Sequence, residues 1–304
     1  MNNPMDKTPL LSILTPTFNR AHLLGNCYTS LQNQTDYDFE WIIIDDGSSD
    51  ETAHVVSLFQ ENLFPIVFLQ KENGGKHTAL NKALPHIRGK YILILDSDDT
   101  LTENAVFLIR EAWSHYESTP DVAIVTFLKG SSLHHPNCTA AVTHRPVNIF
   151  RCRRNILVSC DCCEVIRSEI MKAFPFPDFA GERFLSEAAL WNRVASKYQC
   201  VYINTVIYLC QYLADGLTKS GRILHIRNPI GGMYCAELSM HRKNRYILRL
   251  KNGILFCCYG FFANFSVHQI VKTSQHKILT PLCLVPGWIL YLYWKYRNMR
   301  RCSR

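Results

Sequence analysis

The chain has 304 residues, of which 47% are hydrophobic and 19% are charged. These values exclude a disordered chain and fit one large core, or one domain with an appendage. The net charge is +8, but twelve Lys and Arg residues and no acid follow residue 240, so residues 1–240 carry a net charge of −4. This distribution argues against a nucleic-acid-binding body and favours a tail that faces an anionic surface.

Short apolar runs alternate with helical patterns along the first part of the chain. We predict strands at Leu10–Leu14, Trp41–Ile44, Ile66–Leu69, Tyr91–Leu95 and Val122–Phe127. We predict helices at Ala21–Asn33, Glu51–Gln60, Lys76–Ile87 and Glu103–Tyr116, with capping boxes at Ser48/Glu51 and Thr100/Glu103. The continuous apolar runs are typical of strands buried on both faces. The alternation therefore predicts an α/β fold with a mostly parallel, doubly wound sheet.

Composition changes near Arg222, where the chain becomes basic and aromatic. We therefore predict a catalytic domain at residues 1–221 and a helical region at residues 222–304.

The thirteen cysteines include the adjacent pairs Cys162–Cys163 and Cys257–Cys258 and do not suggest a disulfide framework. A strand-like run begins almost at the N terminus, and no signal peptide is apparent. Both features predict a reducing, cytoplasmic location. A zinc knuckle is an alternative for four cysteines, although it lacks a second well-spaced pair: Cys152, Cys160, Cys162 and Cys163.

Two acidic clusters follow predicted strands. Asp45 and Asp46 begin the run DDGSSDET, and Asp96, Asp98 and Asp99 lie in LDSDD. In open α/β sheets, ligands bind outside the carboxyl ends of the strands. Three acids in four positions repel one another, and their hard oxygen ligands suit Mg²⁺ or Mn²⁺ bound together with substrate phosphates. Taken alone, DSDD would fit an ordinary solvated turn equally well.

Four segments resemble the successive blocks of the family 2 glycosyltransferases. They are LTPTFNR (14–20), IIIDDGSSDET (42–52), ENGGKHTALNKAL (72–84) and YILILDSDD (91–99). Their order and spacing match that family, and the resemblance covers residues 8–220 approximately. It implies the GT-A fold, in which a Rossmann-like nucleotide-binding sheet is merged with an acceptor-binding half. It also implies sugar transfer from a nucleotide-sugar donor, expected to be a UDP-sugar.

The resemblance also implies roles for individual residues. Thr15 and Pro16 are expected to line the base pocket, and Asp45 to accept a hydrogen bond from uracil. Asp96 is expected near the ribose, and Asp98 is expected to hold the divalent metal, Mn²⁺ or Mg²⁺. Four further residues fall in the block that borders the donor: Asn73, Gly74, Lys76 and Asn81. For the lysine, the alternative is a solvated residue at a helix start.

The family is inverting and needs one general base. Aligning the segment GERFLSEAALWNRVA (181–195) with the family's later helix places Glu187 at the base, with Ser186 where the family usually has Glu. Because of this departure, Glu182 is a competitor for the role. A solvated helix residue is the alternative interpretation of Glu187.

The apolar and aromatic run Ile278–Tyr293 is followed by several basic residues, and a shorter apolar run covers Ile254–Phe265. A spanning helix needs about 20 apolar residues, whereas the first run is shorter and contains Pro281 and Pro286. Four aromatic residues are of the types found at membrane interfaces: Trp288, Tyr291, Tyr293 and Trp294. We predict a monotopic helix pair on the inner leaflet. Packing onto the catalytic domain and a true span are the alternatives.

Together, the resemblance and the tail predict a peripheral membrane enzyme. It would extend a lipid-linked glycan at the cytoplasmic face, as in bacterial surface polysaccharide synthesis of the lipopolysaccharide or capsule type. One rival is a sugar nucleotidyltransferase, which needs a Gly-rich, Arg-bearing loop after the first strand, and LTPTFNR is not one. A second rival is a non-catalytic, membrane-bound binder of sugar nucleotides.

Overall fold

A computed structural model of the chain describes residues 8–60, 63–140, 142–148, 150, 162–210 and 217–302. Its strands are β1 Leu11–Thr17, β2 Phe39–Asp45, β3 Ile66–Gln70, β4 Tyr91–Ile94, β5 Thr100–Leu101, β6 Val122–Ser132, β7 His135–Pro136, β8 Cys162–Arg167 and β9 Gln199–Leu209. Its helices are α1 Ala21–Gln32, α2 Thr52–Ser57, α3 Lys76–Ala83, α4 Ala105–Ser114, α5 Ser168–Ala173, α6 Ala188–Lys197, α7 Leu217–Arg227, α8 Pro229–Ser239, α9 Tyr246–Phe262, α10 Val267–Thr273 and α11 Leu279–Cys302.

The described strands form one mixed sheet in the order β3-β2-β1-β4-β8-β6-β9-β5, with β7 paired to β6. Strands β1 to β4 are mutually parallel, so the carboxyl ends of β2 and β4 lie at one edge, on either side of β1. Strand β8 runs antiparallel between β4 and β6. Strands β6 and β9 pair in parallel, whereas β5 and β7 run antiparallel to their neighbours. The sheet that we expected to be mostly parallel is therefore a mixed one.

The five predicted strands and four predicted helices are all present, with ends shifted by a few residues. Both predicted capping boxes are wrong. The Ser48 hydroxyl accepts a hydrogen bond from the Asn19 N–H at 2.8 Å, and Thr100 lies in strand β5. A capping box is instead present at α10, where Ser266 and Gln269 bond each other's backbone N–H. The sequence pattern alone did not distinguish these local environments.

The chain divides into two compact units. The first contains the described residues of Met1–Phe176 and Lys197–Leu213, and the second those of Pro177–Ser196 and Ala214–Arg304. Pro177–Ser196 thus belongs to the same unit as the C-terminal helices, whereas the predicted catalytic domain at residues 1–221 included it. The reason is visible in its hydrogen bonds: Glu182 accepts the backbone N–H groups at the start of α8, and Asn192 donates to Ser239.

Helices α8 to α11 share a second hydrophobic core, which includes Phe256, Cys257, Cys283 and Trp294. Helix α11 continues through Pro286. Packing against α9 compensates for the lost backbone hydrogen bond. Helices α9 and α11 approach closely at Gly287, where an added Cβ would come within 2.5 Å of the Cβ of Cys257.

Within the described part of the chain, no helix combines the length and hydropathy needed to cross a membrane. Among the described cysteines, Cys138 is disulfide-bonded, whereas the buried thiols of Cys27, Cys257, Cys258 and Cys283 are free. Two members of the suggested zinc knuckle, Cys152 and Cys160, lie outside the described residues.

Candidate functional site

Asp45 ends strand β2 and is almost fully buried. One of its carboxylate oxygens accepts the Ser48 N–H at 2.8 Å, and the other accepts the side-chain amide of Gln70 at 3.3 Å. The next residue but one, Gly47, has a positive φ of 82°, and a Cβ there would lie 2.8 Å from the Asn73 nitrogen. The turn after β2 therefore requires glycine, and it brings the second and third sequence blocks together.

Asp46 organises the loop between β3 and α3. One carboxylate oxygen accepts Lys71 Nζ at 2.7 Å and the Gly74 N–H at 3.0 Å, and the other accepts the Gly75 N–H at 2.7 Å. The Asn73 amide donates to the Asp46 carbonyl oxygen at 3.0 Å. Asn73 and Gly74 thus lie beside the acidic end of β2, held by a carboxylate for which we had predicted no individual role.

The second acidic cluster, Asp96–Asp99, follows β4, and we call it the acidic loop. Three cations compensate its charge. Lys76, at the start of α3, forms an ion pair with Asp96, and Arg20 lies 3.6 Å from the carboxylate of Asp98. Lys129 of β6 is buried, and its charge also acts on Asp96. The structure thus brings Lys76 and Asp96 together.

The carboxylates of the acidic loop differ in acidity. Burial raises the pKa of Asp96, but the nearby Lys76, Lys129 and Arg20 outweigh it, and the net pKa is lowered. Asp99 is more deeply enclosed. Burial, together with the charges of Asp96 and Asp98, raises its pKa from 3.8 to about 7. The loop therefore holds one firmly ionised carboxylate and one that titrates near neutral pH.

This difference predicts how stability depends on pH in the metal-free protein. Between pH 3.8 and about 7 the folded state keeps a proton on Asp99 that the unfolded chain releases, so stability falls as pH rises through this window. The expected loss is up to about 4 kcal/mol, at roughly 1.4 kcal/mol per pKa unit. Denaturant unfolding in EDTA at several pH values measures it. Asp99→Asn should flatten the profile, and parallel profiles for the two proteins would contradict the assignment.

Three other residues that we predicted to line the nucleotide-sugar site have defined structural contacts. The Thr15 hydroxyl is buried and accepts the indole N–H of Trp41 at 2.8 Å. Pro16 is buried opposite Ile44 in the parallel pairing of β1 and β2. Asn81 of α3 exchanges two hydrogen bonds with the Phe176 backbone. Their roles towards a donor stay predictions.

Thr17 is a residue of this region that the sequence analysis missed. It ends β1 opposite Asp45, and its backbone carbonyl oxygen accepts the Asp46 N–H at 2.9 Å. Its hydroxyl is buried and has no hydrogen-bond partner among the described residues. A buried, unpartnered hydroxyl is costly unless something binds it. Its sequence signal was its place at the end of a strand, within the first motif.

The two candidate bases belong to the second unit and differ in their contacts. Glu187 immediately precedes α6 and is partly exposed. Glu182 is engaged at both carboxylate oxygens, which accept the N–H groups of Ile230 and Gly231 at 2.7 Å each. Burial raises the pKa of Glu182. These contacts give Glu182 a role in holding the start of α8.

Among the described residues, no group of three His, Cys, Asp or Glu side chains is arranged as a metal site of its own.

Residues 12–174, more than half of the chain, match the sequence model described as Glycosyl transferase family 2. The chain belongs to this family, which confirms the resemblance. Over 104 residues it is 39% identical to a hyaluronan synthase of Pasteurella multocida, covering 34% of this chain and 11% of that protein. Over 96 residues it is 35% identical to a PGL/p-HBAD biosynthesis glycosyltransferase of Mycobacterium bovis, and this match covers 31% of this chain and 38% of that protein. The matches thus span only a minor part of these relatives.

Solved structures of low sequence identity share the fold. One is S. aureus TarS 1-349 in complex with UDP-GlcNAc, at a TM-score of 0.60 and 16% identity, covering 95% of this chain and 91% of that one. Another is the mannosyltransferase PcManGT from Pyrobaculum calidifontis in complex with GDP-Man and Mn²⁺, at a TM-score of 0.55 and 15% identity. This match covers 95% of this chain and 88% of that one. The GT-A-like fold is therefore confirmed.

Proposed function

We propose that this chain transfers a sugar, with inversion, from a UDP-sugar to a hydroxyl of a glycan acceptor. The observation that carries the proposal is the placement of Asp45 and the acidic loop at the carboxyl ends of β2 and β4, on either side of β1. Nucleotide ligands bind at such an edge in open α/β sheets. That TarS and PcManGT were solved with nucleotide sugars supports this donor class.

The nucleotide would bind between the two acidic strand ends. Pro16 and Asp45 would contact the base, with the unpartnered Thr17 hydroxyl beside them. Asp96 would lie near the ribose. Lys76 pairs with Asp96 in this structure, and its positive charge would attract a diphosphate bound beside that carboxylate. These roles combine the motif positions with the contacts described above.

A divalent cation, Mn²⁺ or Mg²⁺, fits the acidic loop. The donors are hard carboxylate oxygens, and mutual repulsion of three acids contributes to the raised pKa of Asp99. Asp98 is partly exposed and would be the protein ligand. Bound there, the metal would offset the negative charge that develops on the diphosphate leaving group. PcManGT, solved with Mn²⁺, supports this choice.

Inversion requires one carboxylate to accept the proton of the acceptor hydroxyl. We assign this role to Glu187, because Glu182 is occupied at both oxygens by the backbone at the start of α8. A general base needs reach to the hydroxyl and an accessible oxygen. Glu187 is partly exposed, and it stands where the aligned family segment has its base.

Screening the purified protein against UDP- and GDP-sugars tests the donor and the reaction class. We expect metal-dependent release of the nucleotide from a UDP-sugar, and a product whose anomeric configuration is opposite to that of the donor by NMR. Retention of configuration would overturn the inverting mechanism. Selective turnover of a GDP-sugar would overturn the choice of nucleotide.

We further propose that the acceptor is lipid-linked, as in bacterial surface polysaccharide synthesis, and that α11 holds the enzyme on the inner face of the cell membrane. Apolar residues of this helix recur at a spacing of three or four and are 41% to 68% exposed: Leu282, Val285, Ile289, Leu292 and Tyr296. Exposed cations Lys295 and Arg297 lie on the same helix, in a region without acids. The acyl chains of a membrane would accept the apolar residues, and anionic headgroups would attract the cations.

The structure corrects which aromatic residues belong to this surface. Trp288 and Tyr293 are exposed, whereas Trp294 is 7% exposed and packs in the core of the helical unit, near Tyr259. Removing the chain from Ile278 onward would therefore open that core. Substitutions of exposed residues on α11 therefore test membrane binding better than a truncation does.

A triple variant with Leu282, Val285 and Ile289 replaced by serine should bind vesicles of phosphatidylglycerol and phosphatidylcholine more than about tenfold more weakly, because it loses inserted apolar area. Sedimentation at low and high salt measures this. The matched control replaces three exposed apolar residues of the first unit by serine: Leu58, Leu63 and Phe107. Wild-type protein that never sediments with these vesicles at low salt would refute the membrane proposal. Binding that disappears with rising salt would instead indicate charge alone.

A further inference from the structure

Tyr208 of β9 connects a distant strand to the acidic loop. The tyrosine is fully buried, and its hydroxyl contacts the loop at two points. The backbone N–H of Asp96 donates to the Tyr208 oxygen at 2.9 Å. The hydroxyl hydrogen bonds the carboxylate of Asp99. One side chain thereby joins the first and last residues of the loop, although it lies 112 residues further along the chain from Asp96.

The chain on either side of these contacts is also anchored. Before the loop, the Leu95 N–H donates to the Leu14 carbonyl oxygen at 2.9 Å. After it, β5 pairs with β9, with Thr100 opposite Leu209 and Leu101 opposite Tyr208. The strand that carries the tyrosine thus also holds the exit of the loop, and the hydroxyl fixes the backbone between the two anchors.

The ring of Tyr208 is itself held in place. The ammonium group of Lys129 lies 4.2 Å from the ring centroid. The positive charge of Lys129 also helps to lower the pKa of Asp96, and it opposes the raised pKa of Asp99. A buried lysine on an aromatic face gains a cation–π interaction and offsets the neighbouring carboxylates. Lys129 and Tyr208 therefore pack against each other, and both stabilise the loop that carries three mutually repelling acids.

We propose that Tyr208 is a positioning residue, which fixes the acidic loop in the conformation that receives the donor diphosphate and its divalent cation. The inference rests on the proposed function of that loop. Without the hydroxyl, repulsion among Asp96, Asp98 and Asp99 would favour looser arrangements of the loop, since the Asp96 N–H would lose its partner. A supporting hydrogen bond of this kind sets the precision of the side chains that bind a ligand.

Tyr208→Phe keeps the ring beneath Lys129 and removes only the hydroxyl. The matched control is Tyr91→Phe, which alters another buried tyrosine, at the start of β4 and at the opposite end of that strand from the acidic loop. Hydrogen–deuterium exchange of the peptide covering residues 95–100 is measured without ligand. Exchange at Asp96 should be faster in Tyr208→Phe than in the wild type and the control. Unchanged exchange would overturn the proposal.

UDP binding with and without Mn²⁺ separates positioning from general destabilisation. In Tyr208→Phe we expect the affinity for UDP with Mn²⁺ to fall about tenfold, as for the loss of one or two hydrogen bonds. Binding without Mn²⁺ should stay near wild type, as should both affinities in Tyr91→Phe. Faster exchange with wild-type UDP binding would make Tyr208 merely structural and overturn its role. A wild-type protein that binds no UDP with Mn²⁺ would overturn the proposed function instead, while the exchange measurement would still decide whether Tyr208 holds the loop.

Discussion

Asp98→Ala should abolish sugar transfer and, with it, the response to Mn²⁺ or Mg²⁺. Asp98 is a partly exposed carboxylate of the acidic loop, with Arg20 at 3.6 Å, and it is the residue we expect to bind the cation. Losing both the ligand and the charge compensation at the diphosphate should lower kcat by at least about 10³-fold. Initial rates across a metal titration measure the loss.

The control for this variant is Asp121→Ala, which removes an exposed aspartate at the start of β6. It should leave both the rate and the metal response near wild type. Thermal unfolding should show that Asp98→Ala folds, since an exposed substitution of this kind changes stability little. Wild-type activity that persists in excess chelator would contradict a metal-dependent reaction.

Glu187→Gln should reduce turnover by about 10²–10⁴-fold while donor binding survives. Glutamine keeps the size of the side chain and an accepting oxygen, but it does not take a proton from the acceptor hydroxyl. The loss should therefore appear in kcat, whereas the affinity for UDP, measured separately by calorimetry, should stay near wild type. Glu187 lies just before α6 and is partly exposed, so its replacement should alter stability little.

Glu182→Gln is the informative comparison, because the structure predicts the opposite pattern for it. Both oxygens of Glu182 accept backbone N–H groups from α8, and the amide retains only one acceptor. We expect a stability loss of about 1–3 kcal/mol, with turnover close to wild type in the folded enzyme. If Glu182→Gln loses turnover and Glu187→Gln does not, the base is Glu182.

Much of the first unit could be predicted from local patterns. The apolar runs at β1 to β4 and the helical patterns between them were located to within a few residues, because strand and helix periods are properties of short segments. Asp45 and the acidic loop were placed at strand ends by the same reasoning. Their common edge followed from the parallel order of connected strands.

The second half of the sheet could not be predicted from local sequence patterns. Strand β8 lies between β4 and β6 and runs antiparallel to both, a pairing that brings together segments far apart in the chain. The same is true of Tyr208, whose contact with Asp96 depends on where β9 joins the sheet. Nothing within a window of ten or twenty residues encodes such a neighbour.

By itself, the sequence determined the family, the order of the first strands and helices, and the acids at two strand ends, because each depends on residue types at short spacings. Tertiary structure decided which groups those acids face. It showed Asp46 holding the Gly74 loop, Glu182 holding the start of α8, and Trp294 in a core rather than on the surface. A side chain's role depends on what packs around it, and in each of these cases that neighbour comes from another element.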